Sequence, residues 1–209
     1  MKQFRDIQNG LDGWEDLILS CGWENLIITR ASGLPQELLG KSLDEIGAYY
    51  GETQCETLAR LLISCGGDAT VLIKGMDLYD VEKIICYPKT LIGSDSLYSD
   101  GATHPRRSGT FPRIIKEYVK QKNILSIEQA IHKMTGLAAD TFRIPMRGKL
   151  KTGNVADVLI FDPEIFKDYA GYLSPDKACE GVSYLWVNGQ CLIREGIFQN
   201  VAAGEVLRI

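Results

Sequence analysis

Histidine is almost missing from this 209-residue chain, which has only His104 and His132. Two imidazoles are too few for a hydrolytic metal site drawn from several histidines, so a self-contained centre of that kind is not expected. The six cysteines (Cys21, Cys55, Cys65, Cys86, Cys179, Cys191) include no C-x-x-C pair and mostly sit within apolar periodic segments. They read as buried thiols acting as small hydrophobes rather than as disulfides or a zinc cluster. A positive excess is also lacking, with 23 Lys and Arg against 27 Asp and Glu. That balance argues against a nucleic-acid or anionic-membrane surface, each of which needs a basic field, and leaves a small molecule or another protein as partner. No apolar run approaches the roughly 18 residues of a membrane span, and the opening Met1-Lys2-Gln3-Phe4-Arg5-Asp6 lacks the apolar stretch of a signal peptide. A cytoplasmic location is the expectation. Internal repeats and low-complexity tracts are absent.

What is present is enough apolar residue, 45%, to bury a substantial core in one or two domains. The first twenty residues fit a short helix or a strand equally well. The β-branched run from Trp23 to Arg30 predicts a strand. Ser42 and Glu45 form a capping box for a helix through Tyr49 that Gly51 ends. Leu58, Leu61, Leu62 and Cys65 at helical spacing predict a second helix from Gln54 to Ser64, stopped by Gly66 and Gly67. A strand from Ala69 to Ile73, a helix capped by Asp77 and a short strand at Thr90 to Ile92 follow, in the order of a parallel βα unit. Thr110 predicts an N-cap with Pro112 in the first turn, Ser126 and Gln129 a further capping box, and Thr135 a cap for one more turn. After Pro145 the texture changes to strands at Val155 to Phe161, Ser183 to Val187 and Gln190 to Ile193. Asn188-Gly189 is a strong type I′ hairpin signal between the last two. A boundary near Pro145 thus separates residues 1–145 from a small β domain at 146–209.

The most informative stretch is TLIGSDSLYSDGATHPRRSGTFPR, Thr90 to Arg113. An apolar run opens at Gly93 into a polar loop, which places Asp95 at the mouth of a strand end, with Asp100 as its rival. His104, Arg106 and Arg107 follow. A carboxylate at a strand end with paired arginines beyond it suits anion handling beside acid–base chemistry. His104, lone and before a proline, reads as an orienting group, and His132, inside a helical pattern, reads as structural.

These residues resemble a known family. GSDS at Gly93 to Ser96, HPR at His104 to Arg106, GTFPR at Gly109 to Arg113, SIEQAIHKMTGLAADTF at Ser126 to Phe142, RGKLKTGNVADVLIFDP at Arg147 to Pro163 and VSYLWVNGQ at Val182 to Gln190 resemble the C-terminal part of the N-acyl-D-amino-acid deacylases (D-aminoacylases) of the amidohydrolase superfamily. The resemblance implies an α/β fold: the C-terminal portion of a metal-dependent-hydrolase (β/α)8 barrel followed by part of a small β-sandwich domain. It implies zinc in the complete enzyme and hydrolysis of the amide bond of an N-acyl-D-amino acid to a carboxylate and a D-amino acid. Asp95 matches the metal-touching, proton-shuttling aspartate and Arg106 the substrate-carboxylate arginine, with His104 and Arg107 as further substrate-side groups. Ser96 stands where the family has glycine. The family's H-x-H strand, bridging cysteine and two further metal-binding histidines would precede Met1, so the chain alone is expected to be inactive and to need a missing N-terminal half or self-association.

Two other readings remain open on the sequence. One is a non-catalytic remnant that binds a partner or oligomerises, which predicts an exposed apolar patch. The other is a cyclic-amide hydrolase resembling dihydroorotases or hydantoinases, which HPR and GTFPR fit less well.

Overall fold

The computed structural model describes residue 13 and residues 16–96 and 104–207. These fall into two units, Met1–Leu78 with Tyr98–His104 and Tyr79–Leu97 with Pro105–Ile209.

Of the ambiguous first twenty residues, residues 1–12, 14 and 15 lie outside the described ones, and in the first unit a short helix begins at Leu17. Asp16 accepts hydrogen bonds from the Ile18 and Leu19 amides and caps α1, Leu17–Cys21. A 3-10 turn at Trp23–Asn25 takes the start of the expected strand, so β1 runs Leu26–Ala31. Both expected helices form: α2 spans Leu43–Tyr50 and α3 spans Gln54–Ser64. Each starts on a reciprocal capping box, Ser42 with Glu45 and Thr53 with Glu56, which satisfies amides that the first turn otherwise leaves unbonded.

Strand β2, Ala69–Ile73, pairs antiparallel with β1, setting Leu26 opposite Ile73 and Ile28 opposite Val71. Leu26, Ile28 and Ala31 meet Leu43 and Ile46 of α2 and Leu61 of α3 in the unit's core. The far edge of β1 is occupied, since the Ile28 amide donates to Lys41 and the Gly40 amide to Ile28. Among the described residues β2 pairs only with β1. Val71 and Ile73 share the face of Leu26 and Ile28 yet are 44% and 37% exposed, so the sheet reaches beyond its helical cover.

In the second unit, α4 (Leu78–Cys86) contributes Ile85 to a core with Ile114, Ile115, Tyr118, Leu125, Ala130 and Phe166. The expected parallel βα unit is corrected here. Thr90 to Ile92 is irregular, because a strand exists only as part of a ladder and this short run has no strand partner among the described residues. Its Ile92 amide bonds instead to the Lys133 carbonyl at 3.4 Å.

A second correction concerns Thr110. Helix α5 runs Arg106–Arg113, starting just past Pro105. That proline's φ of −57° is already helical, so the helix begins before Thr110 has a free first turn to cap. The Thr110 hydroxyl donates to the Arg106 carbonyl at 2.8 Å within the helix. Pro112, inside rather than at the start, brings no amide to the ladder, and the chain continues directly into a π-helical segment, Ile114–Gln121.

Ser126 and Gln129 cap α6, Ile127–Met134, as expected. Thr135 does not cap α7, Gly136–Thr141; its hydroxyl turns back to the Ile131 carbonyl. Beyond Pro145 lies one antiparallel sheet in sequential order: β3 Val158–Phe161, β4 Val182–Val187, β5 Gln190–Arg194 and β6 Ile197–Phe198. Asn188 and Gly189 turn β4 into β5 at φ of 50° and 76°, the positive values a type I′ turn requires. Arg147 ties this turn down, donating to Asp157, to Asn188 Oδ1 and to Glu205, while the Asn188 amide donates to Asp157.

Candidate functional site

The loop after Ile92 carries Asp95 at φ 45°, a left-handed conformation that aspartate tolerates better than most residues. Its carboxylate is 86% exposed and pairs with Arg106, Nη2 to Oδ2 at 3.2 Å. Arg106 is the first residue of α5 and Arg107 the second, and Arg107 pairs with Asp176 at 3.1 Å. Cations at a helix N-terminus oppose the helix dipole, a cost of several tenths of a kcal/mol that these two carboxylates offset. The tertiary structure therefore brings Asp95 and Arg106 together and directs Arg107 to a different carboxylate. His104 is exposed in the segment before α5, His132 is exposed on α6, and Asp100 lies outside the described residues.

The Asp95 loop is held from below by a residue that the sequence did not single out. Lys133 on α6 is buried, and its ammonium donates to the carbonyls of Tyr87 and Thr90. Burial holds this ammonium below the usual lysine range. Together with the Ile92 bond to its own carbonyl, Lys133 grips the segment that leads into Gly93 and Asp95.

The arginine-bearing helix is held in turn by Asp168, whose side chain is 2% exposed. Arg113 donates to Asp168 Oδ2 and, at 3.0 Å, to the Ala170 carbonyl, and the Lys116 ammonium lies 3.6 Å from Asp168 Oδ1. Burial works against the Arg113 charge, yet the Asp168 carboxylate outweighs it and holds the guanidinium above its ordinary value. Gly109 makes room for this pair, because a Cβ there would lie 2.9 Å from Asp168 Oδ2 and 3.3 Å from the Ala170 Cβ. The GTFPR segment thus has a packing reason for both its glycine and its arginine. No sequence signal marks Asp168 as their partner, since it lies 55 residues beyond Arg113.

Gly109→Ala is therefore expected to destabilise the chain although alanine favours helix by about 1 kcal/mol. The buried carboxylate cannot yield without breaking its ion pair, and overpacking of this kind costs about 1–3 kcal/mol. A net loss of about 1–2 kcal/mol in urea unfolding is expected. A gain in stability would show that the Asp168 contact is not tight.

Among the described residues no three His, Cys, Asp or Glu side chains converge to hold a metal ion. The described residues therefore do not fit a metal by themselves. None of the helices among them is long and apolar enough to cross a membrane.

Comparison with known proteins gives this geometry its setting. D-aminoacylase of Alcaligenes xylosoxydans xylosoxydans is 36% identical over 193 residues, which is 92% of this chain and 38% of that protein. N-acyl-D-aspartate deacylase of the same organism is 38% identical over 164 residues, covering 78% of this chain and 32% of that one. The chain spans about a third to two fifths of the length of the relatives it matches. Among solved structures, a D-aminoacylase described as defining a novel subset of amidohydrolases superposes with a TM-score of 0.75 at 34% identity, over 88% of this chain and 38% of the other. N-acyl-D-glutamate deacylase from Bordetella bronchiseptica, complexed with zinc and a phosphonate mimic of the tetrahedral intermediate, superposes at 0.72 and 32% identity, over 84% of this chain and 36% of that one. These likenesses place the chain within a metal-dependent hydrolase fold. The Amidohydrolase family pattern matches residues 79–193, the span that contains Asp95, Arg106, Arg113, Lys133 and Asp168, and on that match the chain belongs to the amidohydrolase family.

Proposed function

We propose that this chain supplies the proton-transferring carboxylate and the substrate-carboxylate clamp of a zinc-dependent deacylase of N-acyl-D-amino acids, with metal-holding residues contributed from outside the described ones. The observation that carries the reading is the Asp95–Arg106 pair, Nη2 to Oδ2 at 3.2 Å. It sets a base beside a guanidinium able to orient a carboxylate-bearing amide. Zinc in the complete site would supply Lewis acidity. For this chain's own groups, Arg106 binds the carboxylate of the substrate. Asp95 takes a proton from the attacking water as the C–O bond forms, then returns it to the amine nitrogen as the C–N bond breaks. The products are a carboxylate and a free D-amino acid. His104 and Arg107 are assigned to the substrate side of the same site.

The reading extends to the architecture: residues 1–145 as the closing portion of a (β/α)8 barrel and 146–209 as part of a small β-sandwich. The β3 to β6 sheet, lying wholly beyond Pro145, supports the second part. A cytoplasmic location goes with six free thiols. The β2 edge, which pairs only with β1 among the described residues, and the exposed Val71, Ile73, Ile63 and Met76 favour a partner surface, supplied by the rest of the deacylase or by a second copy.

The test is elemental analysis for zinc beside an assay for amine released from N-acetyl-D-amino acids. The purified chain is expected to hold no stoichiometric zinc and to release none. Co-expression with a polypeptide carrying the remaining part of a D-aminoacylase should restore both. Failure to restore turnover in a stable, zinc-loaded complex would refute the deacylase reading and leave the partner-binding one. Turnover by the chain alone, in a dimer, would move the metal site into this sequence.

A further inference from the structure

Lys133 is only 4% exposed, and its ammonium donates to two neutral carbonyls, those of Tyr87 and Thr90, the second at 3.4 Å. Stability does not account for this arrangement. Tyr87 follows the last residue of α4, so the ammonium gains the modest attraction of a helix C-terminus. Taking a charge out of water with no carboxylate among its described partners costs more. Nor does the Tyr87 carbonyl depend on the ammonium, since it already accepts from the Thr90 amide at 3.0 Å. Methionine would bury a stem of similar length and strand no charge. Resting on the reading of Asp95 as the proton-transferring carboxylate, we propose that Lys133 is the positioning residue of that carboxylate: it fixes the backbone from which the Asp95 loop departs.

One residue holds this segment at both ends. The ammonium takes Tyr87 and Thr90, and the Lys133 carbonyl accepts from the Ile92 amide at 3.4 Å. No strand ladder does so instead among the described residues. Ile92 packs on the core that Ala130 of α6 helps to build, and beyond it the support thins. Gly93 has no Cβ, and nothing lies within 4 Å of where one would stand. The Ser94 and Ser96 hydroxyls meet 3.3 Å apart on either side of Asp95, a purely local contact. Among the described residues, Ile92 is thus the last backbone anchor before Asp95, whose carboxylate is 86% exposed. A surface ion pair does little to fix such a group. A carboxylate that must reach a water and then an amine nitrogen tolerates little displacement, since an error of about 1 Å costs about 10²-fold in rate.

The experiment compares Lys133→Met with wild type, first in the 209-residue chain and then in the assembled deacylase. In the chain, amide hydrogen exchange at Thr90 and Ile92 is expected to quicken about tenfold or more, while urea unfolding of the whole stays where it was. In the assembled protein, kcat for N-acetyl-D-amino acids should fall about 10- to 100-fold, with KM and zinc content unchanged. The decisive arm is a double-mutant cycle: once Asp95→Asn has removed the base, adding Lys133→Met should change kcat by no more than about twofold. Leu125→Ala, which opens the same core without touching the segment, should leave kcat unchanged. A further 10- to 100-fold loss in the Asp95→Asn background would mean that Lys133 acts independently of Asp95 and would overturn the proposal. Unchanged exchange at Ile92, or an equal loss of kcat in Leu125→Ala, would overturn it too. Failure of both Lys133→Met and Lys133→Leu to fold would make Lys133 a structural residue and have the same result. Normal turnover in Lys133→Met beside a crippled Asp95→Asn would sink the positioning role alone, whereas normal turnover in Asp95→Asn would sink the underlying reading and the proposal with it.

Discussion

Asp95→Asn is expected to lower turnover of N-acyl-D-amino acids in the assembled deacylase by about 10²- to 10⁴-fold, the usual contribution of a positioned general acid–base. Asparagine keeps the shape of the side chain and tolerates the same positive φ, so the loop retains its course. It cannot accept and return the proton. Stability should barely change, because the carboxylate is 86% exposed and its ion pair is a surface one. Urea unfolding of the variant chain should fall within about 0.5 kcal/mol of wild type. The measurement is kcat beside zinc content in the assembled protein. Near-normal turnover with metal retained would remove Asp95 from the chemistry and return attention to Asp100.

Arg113→Ala is expected to produce the largest loss of stability among single substitutions on α5. Removing one member of a buried ion pair leaves the other charge without compensation, which costs about 3–5 kcal/mol when both are fully enclosed. Here the cost is discounted. Arg113 is 36% exposed, and Lys116 remains 3.6 Å from the other Asp168 oxygen. A loss of about 2–3 kcal/mol in equilibrium urea unfolding is the expected result. Replacing both partners, as Arg113→Met with Asp168→Leu, should recover most of it, because two apolar groups of similar volume leave no charge stranded. A double variant as unstable as Arg113→Ala would show that the packing around Gly109, and not the buried carboxylate, sets the cost. The same substitution should loosen the helix that carries Arg106, since Asp168 grips α5 at its last residue, Arg113, and Asp176 meets it at Arg107.

Local signals hold for the two capping boxes and the hairpin, and fail at Thr135, whose hydroxyl turns back to the Ile131 carbonyl. The boxes Ser42 with Glu45 and Ser126 with Gln129 form as written, because a capping hydroxyl and an N3 side chain reach each other within one turn. The Thr53 with Glu56 box carries the same spacing and could have been read equally well. Asn188-Gly189 makes its turn because positive φ is a property of those two residues and needs no distant partner. Thr110 misled for the converse reason. A threonine before a proline looks like a helix start, but Pro105, already at helical φ, begins the helix five residues earlier. Thr90 to Ile92 has the composition of a strand and forms none among the described residues, since composition cannot supply a neighbouring strand.

The candidate site divides along the same line. Asp95 and Arg106 were legible as chemistry-bearing residues because their types, order and flanking motifs lie in one stretch. Their pairing, and the assignment of Arg107 to Asp176, are matters of distance that only the fold sets. Lys133 and Asp168 looked like ordinary helix and loop residues, and burial is what makes them otherwise. A buried ammonium must find carbonyls and a buried carboxylate must find a guanidinium, and those partners lie 43 to 55 residues away. By itself the sequence determined the capping-box starts of α2 and α6, the hairpin, the family likeness and which residues can carry protons or bind anions, since each depends on side-chain chemistry within a few positions. The tertiary structure decided the antiparallel pairing of β1 with β2, the two grips on the site and the partner of each arginine, because burial and long-range contact exist only once the chain has closed on itself.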